Sequence, residues 1–119
     1  MKKVLVVEDN ETLRYVLRAR LEKEGFSVDT VGGGLALLSY LKDVKEPDAV
    51  VLDLFIPEKS GIELLDSLVN KWESAAIFIY SAHVQFKPMC LKYPSVCRFF
   101  NKTENIEYLV TAIKEKLET

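Results

Sequence analysis

Five short, β-branched apolar runs alternate with longer segments of helical periodicity along this chain of 119 residues. The runs occupy positions 3–7, 26–31, 49–53, 76–81 and 96–100. Strands that alternate with helical segments indicate βαβ units, whose strands pair in parallel. The central runs are almost entirely apolar, which is typical of strands buried on both faces. The pattern therefore predicts an α/β fold in which helices cover one parallel sheet.

The segments between the runs differ in how clearly they predict a helix. The last is the clearest, because its apolar residues recur at one-turn spacing after Thr103, the predicted N-cap. These residues are Ile106, Leu109, Val110, Ile113 and Leu117. The fourth segment is the weakest, since Pro88 lies in its middle and proline inside a helix costs about 3 kcal/mol. We expect the fourth helix to begin near Pro88 or to be short and irregular.

Composition limits the functions open to this chain. A length of 119 residues and a 49% hydrophobic share suit a single domain over residues 1–119. The net charge of −2 and the lack of a basic stripe argue against direct binding of nucleic acid. No apolar stretch of the sequence reaches membrane-spanning length, and Cys90 and Cys97 lack metal-ligand spacing. We therefore expect no membrane partner, reduced cysteines and a cytoplasmic location.

Charged residues follow three of the apolar runs closely. Glu8 and Asp9 follow the first run, Asp53 ends the third, and Lys102 comes just after the fifth. The carboxyl ends of parallel strands meet at one edge of a sheet, where open α/β folds hold their ligands. Three carboxylates that share a pocket repel each other unless a proton or cation lies between them. The grouping predicts a divalent metal site and suggests a phosphoryl group as its chemical partner.

Four short motifs, in chain order, resemble the receiver domain of two-component response regulators. They are the acidic pair ED at 8–9, the stretch DLFIPEKSG that begins at Asp53, IYSA at 79–82, and FFNK, which ends at Lys102. The resemblance covers nearly the whole chain. It implies a flavodoxin-like (βα)5 fold, a doubly wound sheet of five parallel strands in the order 2-1-3-4-5 with helices on both faces.

The same resemblance implies a role for each residue of the predicted pocket. Asp53 would accept a phosphoryl group from a sensor histidine kinase or phosphotransfer protein and become an aspartyl phosphate. Asp9 and Asp53, with the backbone carbonyl of Phe55, would bind Mg²⁺, and Glu8 would act through a water. Lys102 would pair first with the Asp53 carboxylate and then with a phosphoryl oxygen. The chain would be a stoichiometric acceptor that also dephosphorylates itself, not an enzyme with a separate substrate.

Two further residues match positions that change conformation in the family. Ser81 would be the switch hydroxyl, which binds a phosphoryl oxygen together with the Ala82 N–H and draws its loop inward. Phe99 matches the switch aromatic, although plain core packing explains a phenylalanine there equally well. The switch would alter a surface for a downstream output domain or protein, and a phosphorylation-dependent dimer would be one form of that response. The unusual fourth helix means that partner identity cannot be carried over from the family.

Three residues near the predicted pocket depart from the family pattern. Thr103 stands where the family usually has a proline after a cis peptide bond, and a cis bond without proline costs about 2.5 to 4 kcal/mol. We therefore predict that the Lys102–Thr103 bond is trans. Phe55 and His83 flank the approach of water to Asp53, and we hypothesise that they slow loss of the phosphoryl group. His83 alternatively orients the water or is an ordinary solvated loop residue.

Three other functions compete with this one. A metal-dependent phosphatase or nuclease commonly needs a second acid two residues after the first, where this chain has Phe55. A flavodoxin-like cofactor binder needs backbone amides for phosphate after the first strand, where EDNETL offers acids. The main alternative is a receiver-like docking module that no longer accepts phosphate, although the chain retains all five site residue types.

Overall fold

The computed structural model describes residues 1–118, which contain one sheet of five parallel strands. The strands are β1 Lys3–Val7, β2 Ser27–Val31, β3 Ala49–Leu52, β4 Ala76–Ser81 and β5 Val96–Asn101. Their order across the sheet is β2-β1-β3-β4-β5, and each adjacent pair is parallel. The predicted flavodoxin-like α/β fold is therefore confirmed.

Within the described residues, five α-helices connect and flank the strands. They are α1 Glu11–Lys23, α2 Gly34–Asp43, α3 Gly61–Lys71, α4 Lys87–Cys90 and α5 Ile106–Leu117. Helix α4 has only four residues and follows a 3-10 turn over Val84–Phe86. Pro88 lies in the first turn of α4, where the N–H that proline lacks would have no intrahelical partner. The prediction of a short helix near Pro88 is confirmed.

Three predicted strand limits differ from the structure by one residue. β2 begins one residue later, because the Phe26 N–H donates to Leu21 O at the end of α1 instead of joining the sheet. β3 ends one residue before Asp53, which leaves that residue at the edge of the sheet. β5 is one residue longer and includes Asn101.

The sheet separates two apolar layers, because side chains along a strand alternate between its faces. One layer packs against α2 and α3 and includes Leu5, Val50 and Ile77. The other packs against α1 and α5 and includes Val6 and Phe78. All five side chains are buried, and burying each one stabilises the fold by about 1.5–3 kcal/mol. The two layers therefore hold the strand ends in fixed relative positions.

The turn between β5 and α5 differs from the sequence prediction in one respect. Thr103 is not the N-cap of α5; Asn105 is, and its Oδ1 accepts a hydrogen bond from the Glu107 N–H at 2.9 Å. Thr103 lies in a tight turn in which its own N–H donates to Asn101 Oδ1 at 3.0 Å. The described chain has no cis peptide bond, so the trans prediction for Lys102–Thr103 is confirmed.

Two expectations drawn from composition can also be compared with the fold. Cys90 and Cys97 are free thiols, the first buried and the second half-buried. Across residues 1–118, no helix combines the length and apolar character that crossing a bilayer requires.

Candidate functional site

The sheet brings the predicted acidic and basic residues to one edge. β1 and β3 are adjacent, and the pairing of Val7 with Leu52 places the residues that follow them, Glu8 and Asp53, side by side. Lys102 directly follows β5 at the same edge. Strand register thus assembles one pocket from residues that are far apart in the sequence.

The Lys102 ammonium lies between two buried carboxylates. Its Nζ is 2.7 Å from Asp53 Oδ2 and 2.6 Å from Glu8 Oε1. Glu8 and Asp53 are only 1% and 4% exposed, so both carboxylates are removed from water. Burial of a carboxylate costs several kcal/mol unless a cation compensates for it. Lys102 supplies that compensation for both acids at once.

Asp9 adds a third carboxylate on the exposed side of the pocket. One oxygen from each of Glu8, Asp9 and Asp53 lies within 4.8 Å of the others, so three acids face one ammonium. Glu8 Oε1 is buried, and within residues 1–118 no donor reaches it with hydrogen-bond geometry, so its contact with Lys102 is an ion pair. A hard divalent cation, which prefers carboxylate and carbonyl oxygens, fits this donor set.

Burial and charge together shift the protonation equilibria of the pocket. Desolvation raises the pKa of Glu8, and the Lys102 ammonium and the Asn10 N–H offset this only in part. Burial also acts to lower the pKa of Lys102, but the hydrogen bond to Asp53 and the nearby Glu8 carboxylate outweigh it and raise that pKa. Lys102 therefore stays protonated at neutral pH and keeps a positive charge in the pocket.

Two residues that the sequence analysis did not select hold the loop after β1. The Asn10 N–H donates to Glu8 Oε2 at 3.0 Å, and Asn10 Oδ1 caps α1 by accepting from the Leu13 N–H. Arg14 Nη1 donates to the main-chain oxygens of Glu8 at 2.8 Å and of Asp9 at 3.4 Å. The only sequence signal for Arg14 was a basic residue one turn into the helix after the acidic pair.

Ser81 and Phe99 are both buried, and neither lines the pocket. Ser81 is fully buried at the end of β4, and its Oγ accepts a hydrogen bond from the His83 N–H at 3.1 Å. The Lys102 N–H donates to Ser81 O, which ties the ends of β4 and β5 together. Phe99 is buried in the apolar layer that contacts α2 and α3. The switch roles of Ser81 and Phe99 stay predictions.

An aromatic wall formed by Phe55 and His83 borders the pocket. Their rings stack with centroids 3.6 Å apart and planes inclined by 30°, and Phe86 lies beside Phe55 at 5.8 Å. The pocket is a cleft of about 300 Å³ lined by Glu8, Asp9, Asn10, Asp53, Phe55, Ala82, His83 and Lys102. The His83 side chain is half-buried and stacks on Phe55, and its effect on the approach of water stays a prediction.

Comparisons of the sequence with known proteins agree with this geometry. Residues 4–114 match the response regulator receiver domain family. A protein of Pseudomonas aeruginosa named as a transcriptional regulator is 31% identical over 98% of this chain and 57% of its own length. The KDP operon transcriptional regulatory protein KdpE of Escherichia coli is 34% identical over 69% of this chain and 36% of its own length. This chain thus spans about half, or less, of the curated relatives it matches.

Solved structures share the fold over nearly the whole chain. The response regulator TrrA of Thermotoga maritima, solved in complex with Mg²⁺-BeF, is 28% identical with a TM-score of 0.85 and covers 98% of this chain and 100% of its own. A CheY-like receiver domain from Methanospirillum hungatei has a TM-score of 0.90 at 21% identity, over 99% of this chain and 94% of its own. By its sequence match and its fold, this chain belongs to the receiver domain family of two-component response regulators.

Proposed function

We propose that this chain accepts a phosphoryl group on the Asp53 carboxylate during two-component signal transduction. The observation that carries the proposal is the position of Asp53 Oδ2, 2.7 Å from Lys102 Nζ inside a cluster of acids. The donor is a phosphohistidine of a sensor histidine kinase or a phosphotransfer protein. An Asp53 oxygen forms the new P–O bond as the donor P–N bond breaks, which leaves an aspartyl phosphate and a free imidazole.

Mg²⁺ is the cofactor that this donor set supports. Asp9, Asp53 and the Phe55 carbonyl would hold the ion, and Glu8 would reach it through a water. When bound, the ion neutralises negative charge on the transferring group. The similar response regulator TrrA was solved in complex with Mg²⁺-BeF, which supports the same cofactor here.

Lys102 provides the second positive charge, and Ser81 responds to the new phosphoryl group. The raised pKa of Lys102 keeps it protonated, and its place beside Asp53 lets it move from the carboxylate to a phosphoryl oxygen. Ser81 Oγ, which accepts from the His83 N–H, would turn to donate to another phosphoryl oxygen alongside the Ala82 N–H. This movement of the loop would let Phe99 turn further inward and alter the surface of α4, β5 and α5.

The reaction on this chain is stoichiometric, so we do not class the protein as an enzyme. Each molecule takes one phosphoryl group and later loses it to water. The stacked rings of Phe55 and His83 line the same cleft as Asp53 and restrict the approach of that water. Phe55→Asn and His83→Ala should therefore lose the phosphoryl group faster than the parent. Equal decay rates in all three proteins would exclude this role of the aromatic wall.

The signalling output belongs to a partner of this domain. Relatives from Pseudomonas aeruginosa and Escherichia coli are named as transcriptional regulators, and this chain matches only part of their length. Phosphorylation would change how this domain contacts an output domain or a separate downstream protein, with a phosphorylation-dependent dimer as one form of the change. Because α4 has only four residues, the partner surface of this chain differs in shape from one built on a long helix.

Intact-mass spectrometry after incubation with acetyl phosphate and Mg²⁺ tests the proposed function. The parent should gain the mass of one phosphoryl group, and Asp53→Ala should gain none. Asp43→Asn, which removes an exposed acid at the end of α2, should behave as the parent. Omission of Mg²⁺ should abolish the gain. A parent protein that gains no mass would instead support a docking module that does not accept phosphate.

A further inference from the structure

Helix α2 begins without a cap of its own. Its N-cap residue is Gly33, which has no side chain, although the first N–H groups of a helix need acceptors. The Pro57 carbonyl accepts a hydrogen bond from the Gly34 N–H at 3.0 Å, and Glu58 Oε1 accepts one from the Leu35 N–H at 3.2 Å. The loop that follows β3 therefore caps α2 from outside the helix.

The glycines before α2 make room for that loop. A Cβ at Gly33 would lie 2.7 Å from Glu58 Oε1, and a Cβ at Gly34 would lie 2.7 Å from Lys59 Cβ. Both separations are shorter than van der Waals contact. A side chain at Gly33 would displace the Glu58 carboxylate, and one at Gly34 would press on Lys59 close to the loop backbone. Glu58 itself has φ 82°, a conformation that residues other than glycine rarely adopt. Its surroundings must therefore hold Glu58 in place.

The same loop carries residues of the proposed phosphoryl site. It runs from Asp53 to Ser60, and an isolated β-bridge between Phe55 and Ser60 closes its base. The Phe55 N–H donates to Asp53 Oδ1 at 3.1 Å. At the tip of the loop, Glu58 is fastened to α2. The segment that forms one wall of the pocket is thus held at its base and at its tip.

We propose that Glu58 is a positioning residue, which caps α2 from the acceptor loop (residues 53–60) and thereby holds Phe55 and its carbonyl where the Mg²⁺ site needs them. Glu58 is outside the set of residues that line the pocket, so its effect passes through the loop. The consequence for Mg²⁺ rests on the proposed function, whereas the contact between the loop and the helix does not. Glu58 couples the N-terminus of α2 to the metal site, because loss of its hydrogen bond both uncaps the Leu35 N–H and loosens the loop.

Four variants separate the position of the loop from the stability of the helix. Glu58→Ala removes the side-chain cap and leaves the bond from the Gly34 N–H to the Pro57 carbonyl, whereas Glu58→Gln keeps an oxygen that can accept from the Leu35 N–H. Gly33→Ser gives α2 a cap of its own and crowds Glu58 out, so the helix stays capped while the loop is freed. Glu63→Ala removes an exposed acid from the first turn of α3 and is the matched control.

Two measurements report the two halves of the proposal. Amide hydrogen exchange of the metal-free protein reports the loop, and a thermal-shift titration with Mg²⁺ alone reports the metal site. In Glu58→Ala and Gly33→Ser, exchange over residues 54–60 should rise about fivefold, the equilibrium effect of losing one capping hydrogen bond. The Mg²⁺ concentration that gives half of the shift should rise by a similar factor. Leu35 should exchange faster in Glu58→Ala only, and Glu58→Gln and Glu63→Ala should match the parent.

The proposal would be overturned if either Glu58→Ala or Gly33→Ser showed the same loop exchange and the same response to Mg²⁺ as the parent. A lower Tm in Glu58→Ala with an unchanged Mg²⁺ response would identify Glu58 as a plain helix cap and would overturn it as well. A parent that fails to gain a phosphoryl group would contradict the proposed function, while the exchange pattern of the metal-free protein would still test the contact between loop and helix.

Discussion

Two clusters of charged side chains in this molecule are similar in size but differ in their burial and in their balance of charge. The pocket cluster contains three acids and one base, Glu8, Asp9, Asp53 and Lys102. The helix cluster joins α1 to α5 through two acids and two bases, Arg20, Glu24, Glu107 and Lys114. Two carboxylates of the pocket cluster are buried, whereas the side chains of the helix cluster are 23% to 47% exposed.

The contrast shows which cluster is suited to chemistry. Exposed ion pairs with balanced charge contribute little to stability, because water and salt screen them. A buried cluster with excess negative charge costs folding free energy, and such sites more often bind a cation or carry out a reaction. The pocket cluster therefore has the setting that suits a functional site, whereas the helix cluster has the setting of an ordinary support between two helices.

The largest expected difference concerns the lysine of each cluster. Lys102→Met should lower the free energy of unfolding by about 3 kcal/mol, because it leaves the Glu8 and Asp53 carboxylates buried without a cation. Lys114→Met removes a partly exposed partner of Glu24 and should cost less than about 1 kcal/mol. Urea unfolding of the metal-free proteins measures both. Equal losses would break the distinction between the two clusters.

A smaller effect should follow from relief of the excess charge in the pocket cluster. Millimolar Mg²⁺ should raise the Tm by about 3 to 5 °C, since a ligand that binds only the folded state stabilises it. Asp53→Asn should also raise the Tm, because it removes one of three neighbouring carboxylates. Calorimetry with and without Mg²⁺ measures both shifts, and Asp43→Asn serves as a control with the same change of charge. No rise with Mg²⁺ would count against the metal site.

The smallest effect should come from the helix cluster and should depend on pH. The hydrogen bond from Arg20 lowers the pKa of Glu107 below its ordinary 4.5. A lowered pKa in the folded state stabilises the protein above the unfolded value, and this contribution is lost as pH falls through the folded value. Glu107→Gln should therefore lower the Tm slightly at neutral pH and leave it unchanged at pH values below the folded pKa.

The effect of high salt on stability also distinguishes the pocket cluster from the helix cluster. High salt should reduce the Tm difference caused by Glu107→Gln, because the pair with Arg20 is partly exposed to solvent. The loss caused by Lys102→Met should persist in high salt, because its partners are buried. If high salt reduced the effects of Lys102→Met and Glu107→Gln by the same proportion, burial would not distinguish the two clusters.

Much of the pocket was predictable because its residues directly follow strands. Glu8, Asp53 and Lys102 come immediately after apolar runs, and parallel pairing brings such positions to one edge of a sheet. The short α4 was predictable for an equally local reason, since Pro88 restricts where a helix can run. In both cases the physical cause lies within a few residues of the feature it explains.

The features that sequence reasoning missed are contacts between distant parts of the chain, or a choice between similar neighbours. Glu58 caps a helix 23 positions earlier in the chain. Phe55 and His83 were both selected from the sequence, but the stacking of their rings was not predicted. Thr103 and Asn105 are both suitable N-cap residues, and the turn that Asn101 closes decides in favour of Asn105. Composition and spacing carry no signal for contacts of this kind.

By itself, the sequence determined the parallel sheet and the ionisable groups at its edge. Apolar periodicity sets which face of each element is buried, and the resemblance to the receiver family then supplied the strand order and the role of Asp53. Only the tertiary structure decided how Lys102 divides its charge between two acids, how Arg14 holds the acidic loop, and how the acceptor loop docks on α2. The reason is that the local spacing of apolar residues sets which side chains are buried. The partners of a buried charge or of a strained loop are set only when distant segments of the chain pack together.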